Sequence, residues 1–365
     1  MKIILLLFLI STIYILVQHF KIVYLLSKHQ KFKFDNQDIS DPVSVIICAK
    51  NEEHNLSKNL KVILNQNYSE FEVVVVDDFS SDSTQEVLQK IQKKYPRLKI
   101  IQPKKKSSNS KRNALKTGVL AANYDLVLLT DADCRPLTKR WIQSMSASLS
   151  KHKPCVLGYS PYAKHASFLN YIIQYETLQT ACLYFSRALA NKAYMSVGRN
   201  VMYTKTFFLD NENFENENEL TSGDDDLLIQ NVKDKSQITV NLNTNSFVES
   251  QPKRTWTTWW KQKLRHYSTA SHYDKHSQIF LGLYHLGHLV FWISFLILIS
   301  FEFSKLAWTI WFTLVLTKSI LMLFYLKLFK VSKVLLIIWP ILEASLLLLQ
   351  LGLGTNGKFK KQKTW

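Results

Sequence analysis

Carboxylates crowd three places in this chain: Asp77-Asp78, Asp131-Ala132-Asp133, and Asp224-Asp225-Asp226 behind Gly223. Like charges side by side repel, and a folded core has no use for unpaired acids. Such clusters are therefore either solvated turns or sites that gain from negative charge. Two of them follow apolar runs, Val73-Val74-Val75-Val76 and Leu126-Val127-Leu128-Leu129-Thr130. On an extended backbone, residues two apart project to the same side, so Asp131 and Asp133 can face one cation or its waters. Mg2+ and Mn2+ favour such hard oxygen ligands, shared with the phosphates of a substrate. The third cluster opens a helical pattern, where acids suit the helix dipole. Three adjacent acids exceed what a cap needs, which leaves one free to act as a general base.

Other residue types fit the same chemistry. A carboxylate at Asp78 can accept hydrogen bonds from a nucleobase N–H or a ribose hydroxyl, while Asp82 suits the N-cap of the helix that follows. Lys111-Arg112 opens a helix, where cations are poor for the dipole; a phosphate ligand explains them, and a solvated basic face is the alternative. Gln262 and Arg265 share a helix face, and a guanidinium matches a diphosphate or a lipid headgroup. A phosphohydrolase of the haloacid-dehalogenase type also places Asp-x-Asp after a strand. Its pattern continues to Thr or Val two residues beyond, where this chain has Arg135.

The elements that must position these groups alternate. Residues 43–48, 71–76, 98–101 and 125–130 have the apolar, β-branched character of strands covered on both faces. Helical patterns fill 54–66, 82–94 and 110–122 between them. Repeated strand–helix–strand units predict an α/β fold with a doubly wound, mostly parallel sheet, whose ligands sit beyond the carboxyl ends of the strands. Asn51, Glu52, Asp78, Asp131 and Asp133 all fall just past such ends.

Hydropathy sets the wider organisation. Residues 1–24 form an apolar helix, followed by a basic linker at 25–41 and a soluble domain over 42–252. A Trp- and Lys-rich segment at 253–275 suits an amphipathic helix in the bilayer interface. Three apolar stretches within 276–354, near 279–301, 306–326 and 333–353, approach the ~20 residues needed to cross a membrane. A basic tail, 355–365, closes the chain. The first helix is long for a signal peptide and no small-residue cleavage site follows it, so it is expected to be an uncleaved anchor. The 46 Lys and Arg against 28 Asp and Glu give a net charge of +18. Many of these Lys flank apolar segments, which points to a lipid surface under the positive-inside rule rather than to nucleic acid. The expected location is the cell membrane, multi-pass, with the soluble domain in the cytosol. Three C-terminal spans would put Lys358–Lys363 on the far side, so the last segment, interrupted by Pro340 and Glu343, is left open between spanning, split and re-entrant. Cys48, Cys134, Cys155 and Cys182 form no CxxC and are expected to be reduced thiols. The stretch from Asp210 to Glu219 resembles an acidic loop.

With these motifs in order, the chain resembles membrane-bound family 2 glycosyltransferases. The resemblance rests on Val43–Glu53, Asp77-Asp78-Phe79-Ser80, Lys111-Arg112-Asn113-Ala114-Leu115, Asp131–Asp133, Asp224-Asp225 and Gln262-Lys263-Leu264-Arg265, and covers about 43 to 267. It implies a GT-A fold, a nucleotide-diphosphate sugar donor (by family habit a UDP-sugar), Mg2+ or Mn2+, and inversion at the anomeric carbon. By position, Ala49, Asn51, Glu52, Asp78, Lys111 and Asp131 would bind the nucleotide sugar, with Asp78 on the base. Asp133, with Asp131, would hold the metal. Asp225 would deprotonate the acceptor, with Asp224 as its neighbour, and Gln262 and Arg265 would serve the diphosphate.

Two departures matter. The family's Glu-Asp pair is here Asp224-Asp225, and Asp226 leaves the base open by one residue. The family's Gln-x-x-Arg-Trp ends in His266, and the missing Trp, which marks processive synthases, points to a single transfer. Residues 166–190 are rich in Phe and Tyr, so a lipid or lipid-linked acceptor arriving from the membrane is expected. A processive polysaccharide synthase is the alternative. A silent scaffold would lack some of the acids, and none is lacking.

Overall fold

The computed structural model describes residues 1–30, 41–104, 110–212, 224–301 and 304–357. These form two compact units: a sheet unit of residues 41–163 and 187–253, and a helical unit of 1–30, 164–186 and the described residues of 254–357.

Seven strands build the main sheet. They are β1 (Val43–Ala49), β2 (Phe71–Asp77), β3 (Leu98–Ile101), β4 (Leu126–Asp131), β6 (Cys155–Gly158), β7 (Val201–Thr204) and β8 (Ile238–Asn241), in the order β3-β2-β1-β4-β7-β6-β8. The pairs β1–β2, β1–β4, β2–β3 and β6–β8 are parallel, while β7 runs antiparallel to both of its neighbours. Beside it, β5 (Cys134–Pro136) and β9 (Val248–Ser250) form a two-stranded ribbon. Helices α2 (Glu53–Leu64), α3 (Thr84–Gln92), α4 (Ser110–Ala121), α5 (Trp141–Ser146), α7 (Lys205–Asn211) and α8 (Asp224–Asn231) complete the unit. The expected α/β, mostly parallel sheet is present. The first four strands lie within a residue of their predicted bounds, whereas β6, β7 and β8 were not predicted.

Hydrophobic burial on both faces drives this arrangement. Every residue of β2 is buried, and Leu56, Leu60 and Ile63 of α2 and Leu88 of α3 pack on the sheet. Helix α4 approaches so closely that a Cβ added at Gly118 would lie 2.6 Å from Ile46 Cγ2, a space only glycine leaves open. Register then fixes the functional edge. Ala49 pairs with Asp77 and Cys48 with Asp131, so the carboxyl ends of β1, β2 and β4 stand level.

The helical unit contains α1 (Lys2–Gln30), most of α6 (Phe168–Leu189), α9 (Trp256–Ala270), α10 (Lys275–Ile299), α11 (Ser304–Phe329) and α12 (Leu335–Gly357). Among the described residues, four helices are long and apolar enough to cross a membrane: α1, α10, α11 and residues Leu335–Gly354 of α12. Two expectations change. Helix α1 continues to Gln30, through the first residues assigned to the linker. The last apolar segment is one continuous helix with Pro340 inside it. The acidic stretch from 213 to 219 and the tail at 358–363 lie outside the described residues.

Glu343 explains how that last helix tolerates a charge. Its carboxylate is ion-paired with Lys318 of α11 and accepts hydrogen bonds from Tyr175 Oη of α6 (2.9 Å) and Trp292 Nε1 of α10 (3.4 Å). Lys318 also lies 4.4 Å above the Trp339 ring. Removing one partner of such a buried pair typically costs about 3–5 kcal/mol, because it strands the other charge. Glu343→Leu should therefore lower the thermal midpoint of the detergent-solubilised protein markedly. The double change with Lys318→Met should recover most of the loss, as read by a fluorescence melting curve.

Candidate active site

Two loops leave the level strand ends and brace each other. Asn51 and Phe79 adopt positive φ angles of 57° and 56°. Asparagine tolerates that region, but a bulky aromatic enters it only when its surroundings insist. Here they do. Asn51 Oδ1 accepts from Ser81 N (2.7 Å) and Oγ (3.2 Å), while the Asn51 N–H donates to Ser80 Oγ (2.9 Å). The Glu52 N–H donates to Thr84 Oγ1 (2.8 Å). Asp82 accepts from the N–H of Thr84 (3.0 Å) and of Glu53 (3.3 Å). Asp82 thus ties two helix starts together, and the N-cap position of α3 itself belongs to Ser83.

Asp78 emerges from this frame almost fully buried. Its N–H donates to Ala49 O (2.8 Å), and its Oδ2 accepts from Lys50 Nζ (3.2 Å). Its Oδ1 is buried and has no hydrogen-bond partner among the described residues. An orphaned buried acceptor is costly, and an N–H donor of a bound nucleobase is a group that would satisfy it.

One strand over, β4 ends at Asp131 and the chain turns before β5. Asp131 and Asp133 come together through that turn rather than along an extended strand. Ligand atoms of Asp131, Asp133 and Cys134 lie within 4.8 Å of one another. The Asp133 carboxyl is pushed above its ordinary range by burial and then by the charge of Asp131. It accepts from Cys134 Sγ (3.2 Å) and Ser250 Oγ (3.4 Å). The Glu52 carboxyl is likewise raised, by burial first, with the charges of Asp133 and Asp131 adding to it. Asp131 pairs with Lys111 at 3.1 Å. Three carboxylates that disfavour one another's ionisation, two of them offering hard oxygens side by side, fit a divalent cation. Asp131 and Asp133 are the residues that would hold one. Burial and the Asp133 charge keep the Cys134 thiol protonated.

Asp225 joins the same field from α8. Its carboxylate accepts from the Gly198 N–H, and its backbone carbonyl accepts from Ser196 Oγ (3.0 Å). Burial raises the Asp225 carboxyl, against the opposing charge of Lys111 and the Gly198 hydrogen bond, and the charge of Asp131 raises it further. Asp226 is felt instead at the buried Tyr194 hydroxyl. Asp224 is the first residue of α8; its side chain and Gly223 lie outside the described residues. Gln262 and Arg265 stand one helical turn apart on α9 in the helical unit, where Lys263 pairs with Glu176 at 2.6 Å. The sheet unit thus gathers Glu52, Lys111, Asp131, Asp133 and Asp225 around one site, with Asp78 at the neighbouring strand end.

The supporting residues carry no motif of their own. Gly198, Ser250 and Lys50 are isolated in their segments, and Arg199 carries no spacing signal. The loop before β7 brings in Gly198 and Arg199, β9 brings in Ser250, and Lys50 directly follows β1. Asn200 pins that loop by donating to Tyr159 O and Ser246 O (both 2.8 Å) and accepting from Trp141 Nε1 (3.0 Å).

Comparison with known proteins bears on the domain that holds these residues. The glycosyl transferase family 2 model matches residues 44–210. Glycosyltransferase AglE of Haloferax volcanii is 33% identical over 111 residues, 30% of this chain and 35% of that protein. Beta-monoglucosyldiacylglycerol synthase of Trichormus variabilis is 30% identical over 95 residues, 26% of this chain and 20% of that protein. The aligned segments thus span about a third or less of these curated relatives. Among solved structures, the mannosyltransferase PcManGT from Pyrobaculum calidifontis, in complex with GDP-Man and Mn2+, is similar with a TM-score of 0.59 at 17% identity. That match covers 96% of this chain and 99% of the other, and it shows a shared fold.

If Asp131 and Asp133 hold the cation, Asp133→Asn should weaken Mn2+ binding at least about tenfold, since disturbing even an outer-shell partner costs that much. Electron paramagnetic resonance of free Mn2+, titrated with purified protein, checks this.

Proposed function

This chain carries a glycosyl transferase family 2 domain, and from that premise we propose that it is an inverting glycosyltransferase moving a sugar from a nucleoside diphosphate to a hydroxyl of a membrane lipid or lipid-linked saccharide. One observation carries the reading. The Asp225 carboxylate, fixed by the Gly198 N–H, shares its electrostatic surroundings with Asp131 and Lys111, next to the Asp131–Asp133 pair.

In this reading each group has a defined task. Asp78 receives a base N–H at its orphaned Oδ1. Asp131 and Asp133 would hold Mg2+ or Mn2+, which when bound offsets the charge of the diphosphate. Lys111 adds a fixed positive charge, and Arg265 and Gln262 of α9 serve the same leaving group from the helical unit. The Asp225 carboxylate accepts the proton of the acceptor hydroxyl as that oxygen attacks the anomeric carbon and the sugar–phosphate bond breaks. One displacement inverts the centre. The chain's contribution is mainly positioning and preorganised charge.

The membrane assignment follows from the four apolar helices. We place the sheet unit in the cytosol, with Lys21 and Lys28 of α1 on that side under the positive-inside rule, and α9 in the bilayer interface. The aromatic side chains of α6, in the helical unit, suit a lipid or lipid-linked acceptor. His266 in place of the processive synthases' Trp supports one transfer per encounter.

Membranes containing the protein, supplied with Mn2+ and a labelled panel of UDP- and GDP-sugars, should pass label into an organic-extractable product. Label in an insoluble polymer would favour the processive alternative, and transfer from no sugar nucleotide would end the reading.

Two further outcomes are expected. Asp225→Asn should reduce turnover by on the order of 10²–10⁴ with nucleotide affinity kept, measured by initial rates and calorimetry; full turnover in that variant would move the base to Asp224. The pH profile should also carry its signature. The base works as a carboxylate, and burial raises its folded pKa, so protonation sets in at higher pH than for an ordinary aspartate. The acid limb of kcat/KM should accordingly lie above the usual aspartate range and vanish from the residual rate of Asp225→Asn.

A further inference from the structure

Arg199 is a cation beside this site to which the proposed mechanism gives no task. It follows Gly198, whose N–H holds Asp225, and precedes Asn200, whose side chain pins the loop. Its guanidinium lies 4.4 Å over the Tyr162 ring, and Nη2 donates to Ser160 O at 3.4 Å. Tyr162 in turn bridges to Ser250, the residue that pairs with Cys134 and donates its hydroxyl to Asp133. A short chain of contacts therefore connects Arg199 to the metal-binding turn from one side and to the base from the other.

The guanidinium is not spent by these contacts. Of its five N–H donors, one hydrogen bond is made among the described residues, and no acid there lies within the 4.0 Å of an ion pair. Its charge nevertheless reaches Asp133 and Asp131, with Asp133 the nearer in effect. Lys111 is already engaged by Asp131 at 3.1 Å. A partly exposed guanidinium, held over an aromatic ring and felt by two carboxylates without an ion pair to either, keeps N–H donors to offer an anionic group. Planar, permanently charged and forked, a guanidinium matches phosphate oxygens in charge and geometry.

We propose that Arg199 binds phosphate oxygens of the donor's diphosphate, beside the cation held by Asp131 and Asp133. The inference rests on the nucleotide-sugar reading above. It makes Arg199 a second cationic contact to the leaving group, supplied by the sheet unit itself, in addition to Arg265 of α9. It also predicts opposite signs for two affinities. Without ligand, the Arg199 charge opposes a cation at Asp133; with the diphosphate present, it supports the complex. A purely structural residue would move both in the same direction.

The test uses the full-length protein in detergent, as wild type, Arg199→Met and Arg199→Lys, each checked by thermal melting. Mn2+ binding without nucleotide is measured by electron paramagnetic resonance, and UDP and GDP binding with saturating Mn2+ by calorimetry. Arg199→Met should bind the wild type's preferred nucleotide on the order of tenfold to a hundredfold more weakly, as expected for losing hydrogen bonds to a charged group. It should bind Mn2+ alone as tightly or more tightly. Arg199→Lys should fall between them, keeping charge but losing the fork. Unchanged nucleotide affinity in Arg199→Met overturns the proposal, including the case where only the acceptor KM rises and the guanidinium serves an acceptor phosphate. Parallel loss of Mn2+ and nucleotide binding in Arg199→Lys, with a lowered melting point, overturns it in favour of a structural role. If the wild type binds Mn2+ but neither nucleotide, the donor reading fails first and takes this inference with it.

Discussion

Mutual repulsion among carboxylates at the end of a parallel sheet is the constraint around which the sheet unit is organised. Glu52, Asp131, Asp133 and Asp225 raise one another's cost of ionisation or bear it by burial. Left to local preference they would separate into water. They stay together because β1, β2 and β4 end level, because Asn51 and Ser81 lock the first two loops, and because Gly198 and Ser250 hold Asp225 and Asp133 in place. Folding free energy taken from a buried Val- and Ile-rich sheet thus holds in place an electrostatic field that a bound cation would relieve. This is preorganisation in its ordinary physical sense.

The helical unit solves a related problem with the opposite means. Where the sheet unit leaves charge unmatched, the helical unit matches it completely at Glu343. One carboxylate is shared by Lys318, Tyr175 and Trp292, so α6, α10, α11 and α12 meet at a single polar centre within apolar surroundings. Burying an ion pair adds little net stability, but it strongly penalises any packing in which one partner is lost. The pair therefore acts on the relative register of these helices more than on their affinity for one another, and it draws the aromatic α6 into that register.

Much of this was legible in the sequence, for reasons that are local. Apolar β-branched runs at 43–48 and 71–76 bury both faces wherever they are placed, so they are strands before any partner is known. The spacing of Asp131 and Asp133 survives the change from extended strand to turn, because two residues cannot separate their carboxylates far. Lys111 lies in the first turn of α4, within the helix the pattern over 110–122 predicts, and there it pairs with Asp131. The short strands β6, β7 and β8 were not legible: four residues each, they become strands only by pairing.

What the chain decided alone, then, is its two physical regimes: long apolar helices that partition into lipid, and an alternating β/α pattern that ends its strands in acids. What only the folded structure decided is which distant groups meet. The amide of Gly198 reaches a carboxylate 27 positions away, Ser250 reaches Asp133 across 117, and Lys318 finds Glu343 across 25. No residue pattern announces such pairs. Periodicity is a property of neighbours in the chain, whereas the energy of a buried charge depends on whatever the whole fold brings within a few ångströms of it.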